Sequence, residues 1–277
     1  MVDIGNYNEL EVARAVEFGV YLNSEDGEIL LPNKYVPENI KPGDMLRVFV
    51  YRDSEDRMIA TTLEPKATVG EFAALEVKQV NDYGAFLDWG LEKDLFVPFH
   101  NQKDKMQPGR KYVVYIYLDD TSDRIVATAK LGKYFHNENI ELQPGQKVDL
   151  LVAGFTEIGV KVIINNRYLG ILYKNEVFQQ LRLGDKTTGY IKQIRPDNKI
   201  DVSLQKTGYS EVEDAAEKIL SVLQQSKSNT IPLTDKSSSE EISQWLGMSK
   251  KTFKKAIGNL YKNQQVTLEP DQIRLKK

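Results

Sequence analysis

The sequence predicts a multidomain, mainly β chain: three tandem five-stranded barrels of the OB type, followed by a C-terminal winged helix. Three observations carry that reading. A glycine bend between short apolar strands recurs as Phe18-Gly19-Val20-Tyr21-Leu22, Tyr83-Gly84-Ala85-Phe86-Leu87 and Ile158-Gly159-Val160-Lys161-Val162. The copies keep a common spacing, 65 positions from Gly19 to Gly84 and 75 from Gly84 to Gly159, as an internal repeat requires. After Leu204 the apolar period changes from that of strands to that of helices.

Each copy continues in the same order. A short β segment follows the bend, as Ile29-Leu30-Leu31-Pro32, Leu95-Phe96-Val97-Pro98 and Gly170-Ile171-Leu172-Tyr173. A glycine turn comes next, at Pro42-Gly43-Asp44, Pro108-Gly109-Arg110 and Leu183-Gly184-Asp185. Closing strands begin at Arg57, Arg124 and Lys199. Short strands with Gly, Asn and Asp turns at this density indicate closed barrels. The repeats place the barrels at 1–65, 66–132 and 146–207, and the winged-helix domain at 209–277. The stretch from Lys133 to Asn139 is polar and aromatic without periodicity, and reads equally as a linker or a packed connector.

In the last segment Val212, Ala215, Ala216, Ile219, Leu220 and Leu223 fall at helical spacing, predicting a helix from about Glu211 to Gln225. Ser237 with Glu240 reads as a capping box opening a second helix with Ile242, Trp245 and Leu246 on its apolar face. Ser249 caps a third helix, Lys250 to Lys262, whose apolar stripe is Phe253, Ala256, Ile257 and Leu260. Two short β runs around Pro270-Asp271 form a hairpin, the wing.

Composition narrows the chemistry. The 277 residues are 41% hydrophobic and 28% charged, ordinary for a globular protein. Without cysteine and with only His100 and His136, disulfides are excluded, and zinc sites and thiol catalysis find no support. The expected location is a reducing cytoplasm, with neither a membrane span nor a signal peptide indicated. Asp119, Asp120 and Asp123 cluster in a turn, where aspartate serves turn geometry. There is no phosphate-cradling glycine loop ending in lysine, so the expectation is a non-enzyme without cofactors. The net charge of −3 hides a gradient. Residues 1–65 carry 6 basic and 13 acidic side chains, whereas residues 132–206 carry 11 and 8. From Gly247 to Lys277 there are eight basic and two acidic residues, so polyanion binding is expected toward the C-terminal half.

An OB sheet face offers aromatics to unpaired bases and cations to the backbone of a single strand. The repeats resemble the ribosomal protein S1 type of RNA-binding domain. That resemblance implies a platform of two aromatics around the bend, a histidine on the third strand, and an acidic–basic pair four residues apart. The first repeat matches with Phe18, Tyr21, Asp53 and Arg57, with Leu31 at the histidine position. The second matches with Tyr83, Phe86, Asp120 and Arg124, with Val97 at that position. The third departs, with Ile158, Lys161, Tyr173, Arg195 and Lys199; with Lys192 these cations form a candidate basic face for phosphates. A bend aromatic serves equally to pack on a neighbouring barrel. That structural role is favoured for the acidic first barrel, both roles stand for the second, and RNA contact is favoured for the third. In the third helix Lys251, Lys255 and Lys262 lie opposite the apolar stripe, with Lys250 and Lys254 flanking it, and these lysines suit phosphates, although a solvated helix face is commonly lysine-rich.

Two stretches make the likeness more specific: Gly84-Ala85-Phe86-Leu87-Asp88-Trp89-Gly90-Leu91-Glu92-Lys93-Asp94-Leu95, and the run from Asp235 through Met248-Ser249-Lys250-Lys251-Thr252-Phe253-Lys254-Lys255 to Lys262. With three S1-like barrels and a winged helix, the whole chain resembles the conserved virulence factor B (CvfB/YitL) family. The resemblance implies a bacterial cytoplasmic protein that binds RNA, expected single-stranded, and regulates gene expression after transcription, including virulence-factor expression in pathogens. The alternatives are a winged-helix DNA-binding transcriptional regulator and a scaffold for ribosome, nuclease or other RNA-processing proteins. Oligomeric state is not legible.

Overall fold

The computed structural model describes residues 1–205, 209–226 and 228–276. The predicted end of the third barrel at residue 207 lies outside the described residues. The chain forms two compact units, Met1–Phe135 and His136–Lys277.

The first unit holds two barrels. Strands β1 (Tyr7–Val16), β2 (Gly19–Ser24), β3 (Gly27–Pro32), β4 (Met45–Arg52) and β5 (Met58–Thr61) close in the order β1-β2-β3-β5-β4. Strands β6 (Phe72–Val80), β7 (Gly84–Asp88), β8 (Leu95–Pro98), β9 (Lys111–Leu118) and β10 (Ile125–Thr128) close in the same cyclic order. In the second unit β11 (Lys147–Phe155), β12 (Gly159–Ile164), β13 (Tyr168–Tyr173), β14 (Lys186–Ile194) and β15 (Ile200–Ser203) repeat it. Third and fifth strands pair in parallel in each barrel, at Leu30 with Ile59, Phe96 with Val126 and Gly170 with Ile200.

The repeated glycines are explained by close approach of backbones. Gly19, Gly84 and Gly159 sit opposite Pro32, Pro98 and Tyr173 on the next strand. A Cβ on each would lie under 3.0 Å from the carbonyl oxygen of Leu31, Val97 or Leu172. Only glycine fits such a crossing without moving a strand. Gly159→Ala is therefore expected to cost roughly 2 kcal/mol, as overpacking does. Thermal unfolding of the full chain would show it as an earlier transition of the second unit; an unchanged profile would remove the explanation.

A bulge accompanies each bend. The first strand shifts register between Val12 and Arg14, Val77 and Gln79, or Val152 and Gly154. The extra residue sharpens local twist and helps a five-stranded sheet close. The valine before it is pinned by the glycine turn: Gly43 N–H donates to Val12 O at 2.8 Å, Gly109 to Val77 at 2.8 Å and Gly184 to Val152 at 2.9 Å.

The register corrects one sequence assignment. The residue facing the bend glycine is Pro32, Pro98 or Tyr173, so the positions equivalent to Tyr173 are the prolines and not Leu31 and Val97. Leu31 and Val97 point inward and are fully buried. Alternation along a strand makes a one-residue slip exchange core for surface.

The two barrels of the first unit share a core. Phe49 on β4 is fully buried, with its ring edge-on to Tyr7 at 5.8 Å and to Trp89 at 5.7 Å. It lies in one apolar cluster with Leu75, Leu87 and Val97 of the second barrel. Polar ties surround that cluster. Trp89 Nε1 donates to Lys93 O at 2.6 Å, and Lys93 Nζ donates to Arg52 O at 2.9 Å and Asp53 O at 2.6 Å. Burial pushes the Lys93 ammonium below its ordinary pKa and raises the Tyr51 phenol to about 12.

The connector proves to be packed. Tyr134 stacks on Tyr115 at 3.9 Å and Phe135 on Phe72 at 5.0 Å, both within the second barrel. One residue later the chain belongs to the third barrel, where His136 N donates to Arg167 O and Asn137 Nδ2 to Leu169 O.

The winged helix comprises α1 (Tyr209–Gln225), β16 (Thr230–Ile231), α2 (Ser239–Leu246), α3 (Lys250–Lys262), β17 (Val266–Leu268) and β18 (Ile273–Leu275), with sheet order β16-β18-β17. Ile219, Leu223, Ile242, Leu246, Phe253, Ile257, Leu260 and Ile273 meet in its core. The capping box is one residue later than expected: Ser238 accepts from Glu241 N, and Glu241 accepts from Ser238 N. Ser237 instead accepts from Thr234 N. Trp245 is not a core residue; it is 51% exposed. Ser249 caps α3 as predicted, accepting from Thr252 N at 3.0 Å. Among the described residues no helix is long and apolar enough to cross a membrane.

Candidate nucleic-acid interface

In each barrel the bend and the bulge turn the end of the first strand and the start of the second outward. On the first barrel Phe18 and Tyr21 meet edge-on at 6.3 Å, and the Arg14 guanidinium lies 4.4 Å over the Tyr21 ring. Phe18 is 56% exposed, so the ring does not pack against the second barrel. Arg57 pairs with Asp53 at 2.7 Å, the acidic–basic pair as predicted.

On the second barrel Tyr83 is 76% exposed, while Phe86 is half-buried against Phe96 at 5.0 Å. Phe96 is the direct cross-strand partner of Phe86 and belongs to the platform. Its signal in the sequence is the outward position between Leu95 and Val97, both buried. The predicted pairing of Asp120 with Arg124 does not form. Asp119 takes the turn role instead, its N–H donating to Arg124 O at 2.9 Å and its carboxylate accepting from Ser122. The Arg124 side chain reaches the first barrel, where Nε donates to Asp56 Oδ1 at 2.9 Å and Nη2 to Asp56 Oδ2. That fork holds the Asp56 carboxyl below its ordinary pKa. His100, two residues beyond Pro98, lines the same cleft as Tyr83 and Phe86.

On the third barrel the cations do not stand free together. Lys192 pairs with Glu176, Lys199 with Asp197 at 2.6 Å, and Arg195 with Asp201 at 3.0 Å. Arg195 also donates to the Tyr173 hydroxyl. Lys161 alone of the four enters no hydrogen bond or ion pair among the described residues. Phe155 at the end of β11 and Ile158 are exposed beside it. The S1-like pattern does not reach Phe155, whose one signal in the sequence is its strand-end position before the bend.

On α3 the contrast is sharp. Lys251, Lys254, Lys255 and Lys262 are exposed, and none forms an ion pair among the described residues. Lys250 is partly buried and helps hold the nearby Glu241 carboxyl down, after the hydrogen bonds from Ser238. At 3.6 residues per turn, Lys251, Lys255, Gly258 and Lys262 fall on one line, with Lys254 and exposed Tyr261 alongside. Nothing stands within 4 Å of where a Gly258 Cβ would be.

The arrangement has counterparts in known proteins. The S1 domain family matches residues 4–63 and 69–130, and the CvfB-like winged helix domain matches residues 217–275. Along nearly its whole length the chain is similar to proteins of the conserved virulence factor B family. The Bacillus subtilis protein YitL is 28% identical over 280 residues, covering 96% of this chain and 91% of its own length. Conserved virulence factor B of Staphylococcus aureus is 24% identical over 284 residues, covering 99% of this chain and 94% of its own. A crystal structure from Streptococcus pneumoniae, described as a multidomain protein with nucleic acid binding domains, aligns over 99% of this chain and 98% of that chain. Its identity is 23% and its TM-score 0.45. The similarity spans the barrels and the winged helix alike.

Proposed function

We propose that this protein binds single-stranded RNA without catalysing a reaction, and regulates gene expression after transcription. The observation that carries the reading is α3, where four exposed lysines stand without a carboxylate partner among the described residues. Unpaired cations in a row attract a phosphate backbone and release its counterions. Exposed rings at Phe18 and Tyr83, with half-buried Phe86 on the same barrel as Tyr83, supply stacking surfaces of the kind unpaired bases use. Similarity to staphylococcal proteins named virulence factors supports a role in virulence-factor expression where the host is a pathogen. Single-stranded RNA is favoured over duplex DNA because the barrels present rings suited to unpaired bases while α3 presents lysines suited to phosphates, and its asparagine, Asn259, accepts from Asn263 at 2.8 Å. Anisotropy titrations of one sequence as single-stranded RNA, single-stranded DNA and duplex DNA, at one fixed salt, test it. RNA is expected to bind tightest; tighter duplex binding would transfer the function to transcription.

A further inference from the structure

A cleft of about 820 Å³ lies where the two barrels of the first unit meet. That is within the size range of small-ligand sites. One wall is aromatic, formed by Tyr83, Phe86 and Phe96 of the second barrel. At the rim are Arg124 and His100, and the first barrel contributes Ser54 and Asp56. The two arginines here differ in how firmly they are held. Arg52 donates to the backbone carbonyls of Asp56 at 2.9 Å and Asp123 at 3.0 Å, and its side chain is 24% exposed. Releasing it would break both backbone contacts and its ion pair with the Asp123 carboxylate at once, so Arg52 is a tie between the barrels. Arg124 is held by the Asp56 carboxylate, and both side chains are about half exposed. An ion pair in such a position is worth about 0–1 kcal/mol. A phosphodiester presents the same two-oxygen geometry to a guanidinium as a carboxylate does. Exchange of one anion for the other is therefore close to neutral in cost.

We infer that this cleft is a composite site for a single strand, in which bases lodge against Tyr83, Phe86 and Phe96 and a phosphate takes Arg124 from Asp56. The binding unit is then the barrel pair, and the first barrel regulates access through one carboxylate. The inference rests on the nucleic-acid-binding reading above and adds to it a site, a contact and a built-in competitor.

The sign of one substitution tests it. Asp56 has φ of 62°, a left-handed conformation that asparagine adopts readily, so Asp56→Asn keeps the turn. The probe is a fluorescein-labelled oligouridine RNA of about 12 nucleotides, long enough to span an OB platform. Asp56→Asn is expected to tighten binding about threefold, since it removes the competitor of an exposed pair. Arg124→Ala should weaken it about tenfold, the scale of a charge-assisted contact. Tyr83→Ala should weaken it about fivefold or more, the scale of one stacked base. Asp56→Asn in the Arg124→Ala background should give no gain. Equal losses from Asp56→Asn and Arg124→Ala would make the pair only a tie between barrels and overturn the inference. So would cleft variants that leave affinity unchanged while Lys251→Ala/Lys255→Ala lowers it, and in that case RNA binding itself survives. A wild-type protein that ignores the probe at low salt would remove both. Thermal unfolding of each variant separates impaired binding from impaired folding.

Discussion

Phe49→Ala is expected to destabilise the first two barrels together, by about 3–5 kcal/mol. The residue sits on a strand of the first barrel, yet its ring edge meets Trp89 of the second at 5.7 Å and belongs to the second barrel's core cluster. Truncation removes a fully buried aromatic and leaves a cavity shared by both barrels, which neither can close by moving its own strands alone. For a unit of this size the thermal midpoint should drop by roughly 10–15 °C. Amide exchange decides whether the loss is shared. Protection should fall in β6 to β10 as well as in β1 to β5. Full protection of β6 to β10 would mean that the barrels fold independently despite their common core.

Lys251→Ala/Lys255→Ala is expected to lower affinity for single-stranded RNA roughly tenfold at moderate salt. It should also flatten the slope of log affinity against log salt by about 1.4, or about 0.7 for each phosphate on a single strand that a lysine no longer neutralises. Alanine is the strongest helix former, so the variant keeps α3 and its buried stripe. The salt slope is the discriminating quantity. A lysine that only solubilises the helix leaves it unchanged, and an unchanged slope would move the phosphate-binding role away from α3.

The barrels were legible because their determinants are local and repeated. Gly19, Gly84 and Gly159 mark a crossing that no other side chain fits, and Gly43, Gly109 and Gly184 mark the turn that pins the bulge. The helices were equally legible from their apolar spacing. The misplaced capping box shows where local rules run out. In Ser237-Ser238-Ser239-Glu240-Glu241 two serines each have a glutamate three residues on, and either satisfies the motif. Burial of Ile242 and Leu246 in the winged-helix core accompanies the second choice, information that lies outside the motif.

The candidate interface was legible in outline only. Counting charge pointed to the C-terminal half of the chain but not to which cations are free. The partners of Lys192 and Arg195 are Glu176 and Asp201, on other elements, and a net count treats paired and unpaired lysines alike. The α3 lysines are different because their own helix face carries no acid. Arg124 escaped in the opposite direction. Its family-like spacing to Asp120 pointed to a pair within one barrel, whereas its partner is Asp56 of the other. A one-residue longer turn, with Asp119 in the structural role, was enough to redirect it.

The bend glycines carry a consequence for how such a chain can diversify. The close approach that forbids a side chain there runs between backbones, and it makes no demand on the residues to either side. Phe18, Tyr83 and Ile158 occupy the same place before the bend, and Tyr21, Phe86 and Lys161 the same place after it. A duplicated barrel can thus trade an aromatic surface for a cationic one by single substitutions, with closure untouched. Three copies of one scaffold become three differently lettered surfaces on a common hinge of glycine.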